Sequence, residues 1–363
     1  MRFARRRASG GAGARHSLLV SGMPAPDAAF LAAGAPPDLG PPAVPRAALE
    51  ARLARHLGVA PERVLVTLGT SGALHLAAAR WLREGARVAV ELPSYEALRA
   101  LPRFFGAEVR TVRRREEQGW RLDPADVEAA LAGGTGPGHL FLSNPHNPTG
   151  AVEDAEGVRA LAAAAARAGG LLLCDEVYME LAPGPRRVRA LELAPNAVAL
   201  GSLTKAYGLG ALRIGWLALG SGVAEERASL EDLLMIDYVD PPAVATRLGL
   251  AAMEHLERLR GSIETLERES KPLFERWLRE TPGVAGAAPR WGLVAFPRLA
   301  GVDDTRDFAR FAAARHDVDV VPGEFFGEPG CIRLGFGLPA DELAAALRRL
   351  AAAVADYRAA PPA

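Results

Sequence analysis

Lys205 stands in "SLTKAYGLGALRIGW", residues 202–216, among small and apolar residues, with a second cation, Arg213, eight positions on. A lysine there is either a snorkelling surface residue or a buried amine whose lowered pKa makes it a nucleophile. Upstream, "LLLCDEVY" ends an apolar run on Asp175, with Tyr178 three residues later. A carboxylate so placed needs a cationic partner, because burying it alone is costly. Glu176, on the alternate face, reads as structural. "SNPHNPTG", 143–150, sets two asparagine amides between prolines that fix the backbone. A plain turn would serve, but so dense an Asn/Pro pair is unusual for one. In "VTLGTSGALHL", Gly69, Thr70, Ser71 and Gly72 stand where a strand turns into a helix. Free N–H groups and the helix dipole there suit a phosphate. An ordinary N-cap would look the same.

A phosphate cradle, an acid that wants a cation and a lysine at a strand end share one explanation, a site for pyridoxal phosphate (PLP). Lys205 then forms a Schiff base with the aldehyde. Asp175 keeps the pyridine nitrogen protonated, so that the ring accepts electrons. Asn147 and Tyr178 hydrogen-bond the ring's O3′. Ser202 and Arg213 join the Gly69–Thr70–Ser71 turn on the phosphate, Arg213 through charge-assisted bonds.

With "SNPHNPTG", "DEVY", "SLTKAYGLGALRIGW" and the late "IRLGF" in register over about residues 45–350, the chain resembles the class I/II aminotransferases of PLP fold type I, the aspartate aminotransferase-like family. The resemblance implies transfer of an amino group between an L-amino acid and a 2-oxo acid by a ping-pong mechanism, with Lys205 shuttling the proton. Another PLP reaction on the same scaffold, an elimination, cyclisation or decarboxylation, is the alternative. By this likeness Arg333 binds the substrate α-carboxylate, with Gly22 offering a backbone N–H and Asn147 standing beside it. Tyr95, in "ELPSYEAL", places a ring over the cofactor face, a core tyrosine being the other reading. The resemblance also implies a homodimer with shared sites. One departure stands out. No tyrosine precedes Tyr95, and Leu39 occupies the position of the family's N-terminal tyrosine, which reaches the partner's phosphate.

These groups need strands to carry them. "RVLVTL", "RVAVEL", "EVRTVRR", "HLFLSN", "LLLCDEV" and "AVALGSL" alternate with helical stretches over about 71–83, from "SYEAL" on, and over 154–168. A further helix is expected over 47–57. This order predicts an α/β fold, a parallel sheet covered by helices on both faces, and the resemblance implies seven strands. A long amphipathic stretch over 243–278 reads as one connecting helix. "LVAFPR", "VDVVPG" and "CIRLGF", with helices over 305–315 and 340–357, predict a small α+β domain. The divisions expected are an arm (1–45), a large PLP-binding domain (46–275) and a small C-terminal domain (276–363).

The bulk properties exclude several classes. The 363 residues carry 43 acidic and 43 basic side chains, so no global field points to nucleic acid or an anionic membrane. No apolar stretch approaches the roughly 20 residues that span a bilayer. Two cysteines, Cys174 and Cys331, suit reduced thiols in a cytoplasmic protein. The basic start lacks an apolar core for a signal peptide and reads as a mobile arm. Downstream of the lysine, "MIDYVDPPAVATRLG" offers Asp237, Tyr238 and Asp240 but no cation before Arg247. Acidic side chains of a substrate would find no partner there.

Overall fold

The computed structural model describes residues 14–27, 29, 31, 46–183 and 187–359; Leu39 lies outside them. A short strand, β1 (His16–Ser17), comes first. The helix expected over 47–57 is α1 (Arg46–Leu57), burying Leu49, Leu53 and Leu57. Their spacing of four keeps one face in the core. Alternation then begins. β2 (Val64–Leu68) leads into α2 (Gly69–Trp81), β3 (Arg87–Leu92) into α3 (Glu96–Phe104), and β4 (Glu108–Arg113) into α4 (Pro124–Leu131). β5 (Gly138–Ser143), α5 (Ala155–Arg167), β6 (Leu172–Asp175), α6 (Ala190–Leu193), β7 (Ala197–Ser202) and β8 (Ile214–Leu219) follow.

These strands make one seven-stranded sheet in the order β2-β8-β7-β6-β5-β3-β4. Only β8 runs antiparallel to its neighbours, β2 and β7. Side chains obey the two-residue period. Leu140 and Leu142 pack into one core layer while Phe141 packs into the other. Val64 and Val66 likewise face away from Leu65. Burial on both faces explains why these strands read as continuous apolar runs. β8 was not legible as a separate strand, because its first residues lie inside the lysine motif.

After α7 (Arg227–Asp237) the chain departs from one expectation. The stretch 243–278 is two helices, α8 (Ala243–Glu254) and α9 (Leu256–Glu280), parted at His255, where φ is −112°. The break lets each follow a different surface. Ala252 and Met253 of α8 join the sheet core beside Leu49, while α9 runs from that core (Leu259, Ile263) to a second one (Phe274, Trp277). The second core gathers the short strands β9 (Val284–Ala285), β10 (Val294–Ala295), β11 (Arg298–Leu299), β12 (Val318–Asp319) and β14 (Ile332–Gly335), with α10 (Thr305–His316) and α11 (Ala340–Ala359), while β13 (Val321–Pro322) pairs with β14 and packs its Val321 on Phe296, Phe326 and Cys331. It is α+β, as expected from the tail.

The described part of the N-terminal segment is not a loose arm. β1 pairs in parallel with β12, and the Leu18 N–H donates to the Asp319 carbonyl at 3.0 Å. Leu18 is fully buried in the second core. The apolar "SLLV" run, too short for a membrane signal, is long enough to dock. No helix of the described residues is long and apolar enough to cross a membrane.

Candidate active site

Parallel strands end together, and ligands of open α/β sheets bind at those carboxyl ends. Here Ser143 pairs in register with Asp175 across β5 and β6, and Ser202 pairs with Gly215 across β7 and β8. Above them lies a cavity of about 440 Å³. Thr70 and Ser71 reach it from the start of α2, Tyr95 from the start of α3, and Asn147 from the turn after β5. Asp175 and Tyr178 enter from β6, Ser202 and Lys205 from β7, and Arg213 from the approach to β8. Gly22 and Arg333 come from the N-terminal segment and β14. Gly69 stands behind this surface. Every residue assigned from the sequence to the cofactor or the substrate is therefore within or against one cavity.

The turn after β2 is shaped by glycines. Gly69 takes φ +66°, and a Cβ on it would lie 2.6 Å from Arg213 Nη2. A Cβ on Gly215 would lie 2.3 Å from the Gly69 carbonyl carbon, so the turn rests directly on β8. Residue 68, a leucine, stands at the N-cap of α2 and makes no side-chain cap. The reading of Thr70 and Ser71 as an ordinary N-cap gives way, because the helix starts at Gly69 and both hydroxyls lie inside its first turn. Its N–H groups are the kind of orphan donors that bind anions.

Lys205 is half-buried, and its Nζ donates to Ser21 Oγ at 2.9 Å. The turn around it is held twice. The Met23 N–H donates to the Lys205 carbonyl at 2.7 Å, and Tyr207 Oη donates to Glu180 Oε2 at 2.8 Å. Burial opposes the charge on Glu180, but His56, Arg189 and Arg187 hold it well below the usual carboxylate range. Asp175 accepts the Val177 N–H at 3.1 Å. Burial raises its pKa to about 7, against the pull of that bond and of Lys205. Burial likewise pushes Tyr178 up to about 12, against the pull of Arg333 and Ser21. Arg333 is 2% exposed, and its guanidinium donates to the Leu19 carbonyl. Glu176 accepts the Ala190 N–H, away from the cavity.

These groups fit PLP. Thr70 Oγ1 and Asn147 Oδ1 are buried at the cavity with no hydrogen-bond partner among the described residues. Buried polar atoms are normally paired, and the missing partners suit a phosphate and a ring hydroxyl. Asp175, its carboxyl resisting ionisation, suits a ring N–H cation. Ser21 was missed in the sequence because it is 184 residues from Lys205 in the chain and sits in a segment without periodicity. The loop residues Asp237, Tyr238 and Asp240 do not line this cavity in their own chain. Asp237 lies 3.8 Å from His75, Asp240 lies 3.2 Å from Arg46, and Tyr238 Oη accepts the Leu68 N–H at 3.2 Å.

Residues 36–350 match a family model described as aminotransferase class I and II. The chain is 33% identical over 299 residues to the capreomycidine synthase of Streptomyces vinaceus, which covers 81% of this chain and 75% of that protein. It is 31% identical over 306 residues to the arginine–pyruvate transaminase of Pseudomonas aeruginosa, with 81% and 75% covered. The solved structure of a PLP-dependent aminotransferase from Streptococcus suis superposes with a TM-score of 0.85 at 26% identity, over 95% of this chain and 94% of that one.

Proposed function

Because the chain belongs to the aminotransferase class I and II family and is a PLP-dependent aminotransferase, we propose that it moves an amino group from an L-amino acid to a 2-oxo acid by a ping-pong mechanism centred on Lys205. The observation that carries this is one cavity joining the Lys205 amine, the Asp175 carboxyl and the Arg333 guanidinium. Bound PLP supplies an aldehyde and an electron-accepting ring. Asp175 holds a proton on the ring nitrogen, and Thr70, Ser71, Ser202 and Arg213 bind the phosphate. Asn147 and Tyr178 orient the ring oxygen, and Tyr95 covers one face. Arg333 binds the substrate α-carboxylate through paired N–H groups, with the Gly22 N–H and the Asn147 amide beside it. Lys205 Nζ removes the proton from the substrate Cα, its amine kept in place by Ser21.

With Lys205 on the cofactor, Arg213 on the phosphate and Arg333 on the α-carboxylate, the described residues that line the cavity of one chain leave no cation for a distal carboxylate. The preferred donors are therefore neutral, aromatic or basic amino acids, not aspartate or glutamate. The relative named for arginine and pyruvate supports a basic donor. A screen of aspartate, phenylalanine, alanine, lysine and arginine decides this by kcat/KM. Aspartate as the best donor would overturn it.

The second reading is a different PLP reaction on the same scaffold, an elimination, cyclisation or decarboxylation, and similarity to a relative named as a synthase favours it. A half-reaction with donor and no acceptor separates the two. Amino transfer releases one equivalent of 2-oxo acid per site and leaves the nitrogen on the cofactor. Release of carbon dioxide, or of a cyclic or unsaturated product with the nitrogen not transferred, favours the second reading.

The functional unit is a homodimer. Met235, Ile236, Val239 and Val244 are exposed large apolar side chains at the end of α7 and start of α8, and Ile236 is 83% exposed. Such a patch suits a protein interface. Docked there, the 235–249 segment faces the partner's site. The large domain spans 46–275 and the small one 276–363, with α9 crossing between them. The two buried free thiols, Cys174 and Cys331, suit the reducing cytoplasm.

A further inference from the structure

We propose that Glu91 and Ser143 form a relay, anchored by Arg114, that positions the Asn147 amide for the cofactor ring. Glu91 is the penultimate residue of β3 and Ser143 ends β5, and these two strands are neighbours in the sheet. Glu91 Oε1 accepts both the Ser143 N–H at 2.7 Å and the Ser143 hydroxyl at 2.8 Å. With its proton so committed, Ser143 Oγ uses a lone pair to accept the Asn147 N–H at 3.1 Å. The backbone of Asn147 is thus held from below while its amide faces the cavity.

The other oxygen of Glu91 fixes the far end. Glu91 Oε2 accepts from Arg114 Nε at 2.8 Å, and Arg114 Nη1 donates to Glu153 Oε1 at 2.6 Å and to the Trp120 carbonyl at 2.6 Å. Glu153 returns to the same turn, its N–H donating to Asn144 Oδ1 at 3.0 Å. His146, inside the turn, bonds Thr149 Oγ1 at 2.7 Å and the Pro93 carbonyl at 2.9 Å. The side chains of Glu91, Arg114 and Glu153 are at most 1% exposed. Burying a charged triad is a poor route to stability, since apolar side chains of similar volume generally serve as well. What such a network supplies is fixed geometry. A main-chain N–H held 3.1 Å from a committed acceptor fixes the backbone from which the Asn147 amide reaches the cavity. Glu91 and Ser143 touch neither substrate nor cofactor, so they are positioning residues.

This inference rests on the reading of Asn147 as a ring ligand, and the test separates the two. Ser143→Ala, Asn147→Ala and the double variant are prepared, and the PLP dissociation constant of each is measured by titrating the cofactor-free full-length protein. Asn147→Ala weakens binding, and Ser143→Ala weakens it by about tenfold, the range for leaving a buried donor unpaired. In the Asn147→Ala background the same Ser143→Ala change costs less than about twofold, because there is no amide left to position. Ser143→Thr, which keeps the hydroxyl, restores wild-type affinity. Affinity of the cofactor-free protein for inorganic phosphate, which Thr70, Ser71 and Arg213 would bind without Asn147, stays unchanged, whereas a general loosening of the fold would weaken it. Unchanged affinity in Asn147→Ala overturns the ring-ligand reading and the relay with it. Weakened affinity in Asn147→Ala with an additive or absent effect of Ser143→Ala overturns the relay alone. Should Ser143→Ala not fold, Glu91→Gln enters the same cycle and is read the same way.

Discussion

At the residue scale, the strongest physical statement concerns Asp175. Its carboxyl has no cationic hydrogen-bond partner among the described residues, and burial lifts its pKa from 3.8 to about 7. A raised folded-state pKa means that the folded chain holds a proton the unfolded chain has released. Without cofactor, stability from this group is present below about pH 4, falls as pH rises to about 7, and is level above that. The full loss is about 4 kcal/mol at most. Asp175→Asn removes the ionisation. The cofactor-free variant is expected to melt several degrees above the cofactor-free wild type at pH 8 and level with it at pH 4. With PLP the order reverses, because a neutral amide cannot balance a ring N–H cation. Thermal melts at both pH values, with and without PLP, check this. Equal melting of the two cofactor-free proteins at pH 8 would remove Asp175 from this role. Lys205 and Asp175 were legible in the sequence, because a charge at the end of an apolar run demands a partner. Glu91 and Arg114 were not. Arg114 lies in the run "RRRE", which reads as a solvated surface, and only the strand geometry turns it inward while Arg113 stays half exposed.

At the element scale, the turn proposed to hold the phosphate depends on how closely β8 approaches the start of α2. Gly215 permits it. A Cβ there would meet backbone at 2.3 Å, and backbone has no rotamer to yield. Gly215→Ala is therefore expected to destabilise the protein by about 1–3 kcal/mol, the usual cost of overpacking. It should also weaken PLP binding at least tenfold by displacing Thr70 and Ser71. Chemical denaturation and a cofactor titration read the two effects. Retained cofactor affinity would show that the turn does not hold the phosphate. The parallel strands were legible from their apolar runs between helical periods. The split of 243–278 was not, because the apolar spacing continues through His255 and only the two separate cores require the break.

At the scale of the whole molecule, the exposed patch at Met235, Ile236, Val239 and Val244 is the surface that most needs covering. Ile236→Glu would bury a carboxylate twice across a two-fold interface, at a cost of several kcal/mol. Sedimentation velocity at micromolar concentration should find a wild-type dimer and a largely monomeric variant. A wild-type monomer, or a variant dimer of unchanged affinity, would overturn the assigned interface. The 235–249 segment would then have no route to a partner's site, and donor preference would rest on the cavity of one chain.

What the sequence determined by itself was local. Residue type and spacing set the strands, the glycine turn, the lysine motif and the list of groups able to bind a phosphate, a ring and a carboxylate. Those signals are short-range, because a strand end, a helix start and an apolar run are each written within a few residues. The tertiary structure alone decided which distant groups meet them. Ser21 reaches Lys205 from a segment that reads as a loose arm, and it does so because buried Leu18 and the β1–β12 pairing dock that segment. Glu91, Arg114, Ser143 and Glu153 converge because β3 and β5 are adjacent in a sheet whose order differs from chain order. Strand order is a property of the packed sheet, set by which apolar faces can be covered together, and no single stretch of chain carries it.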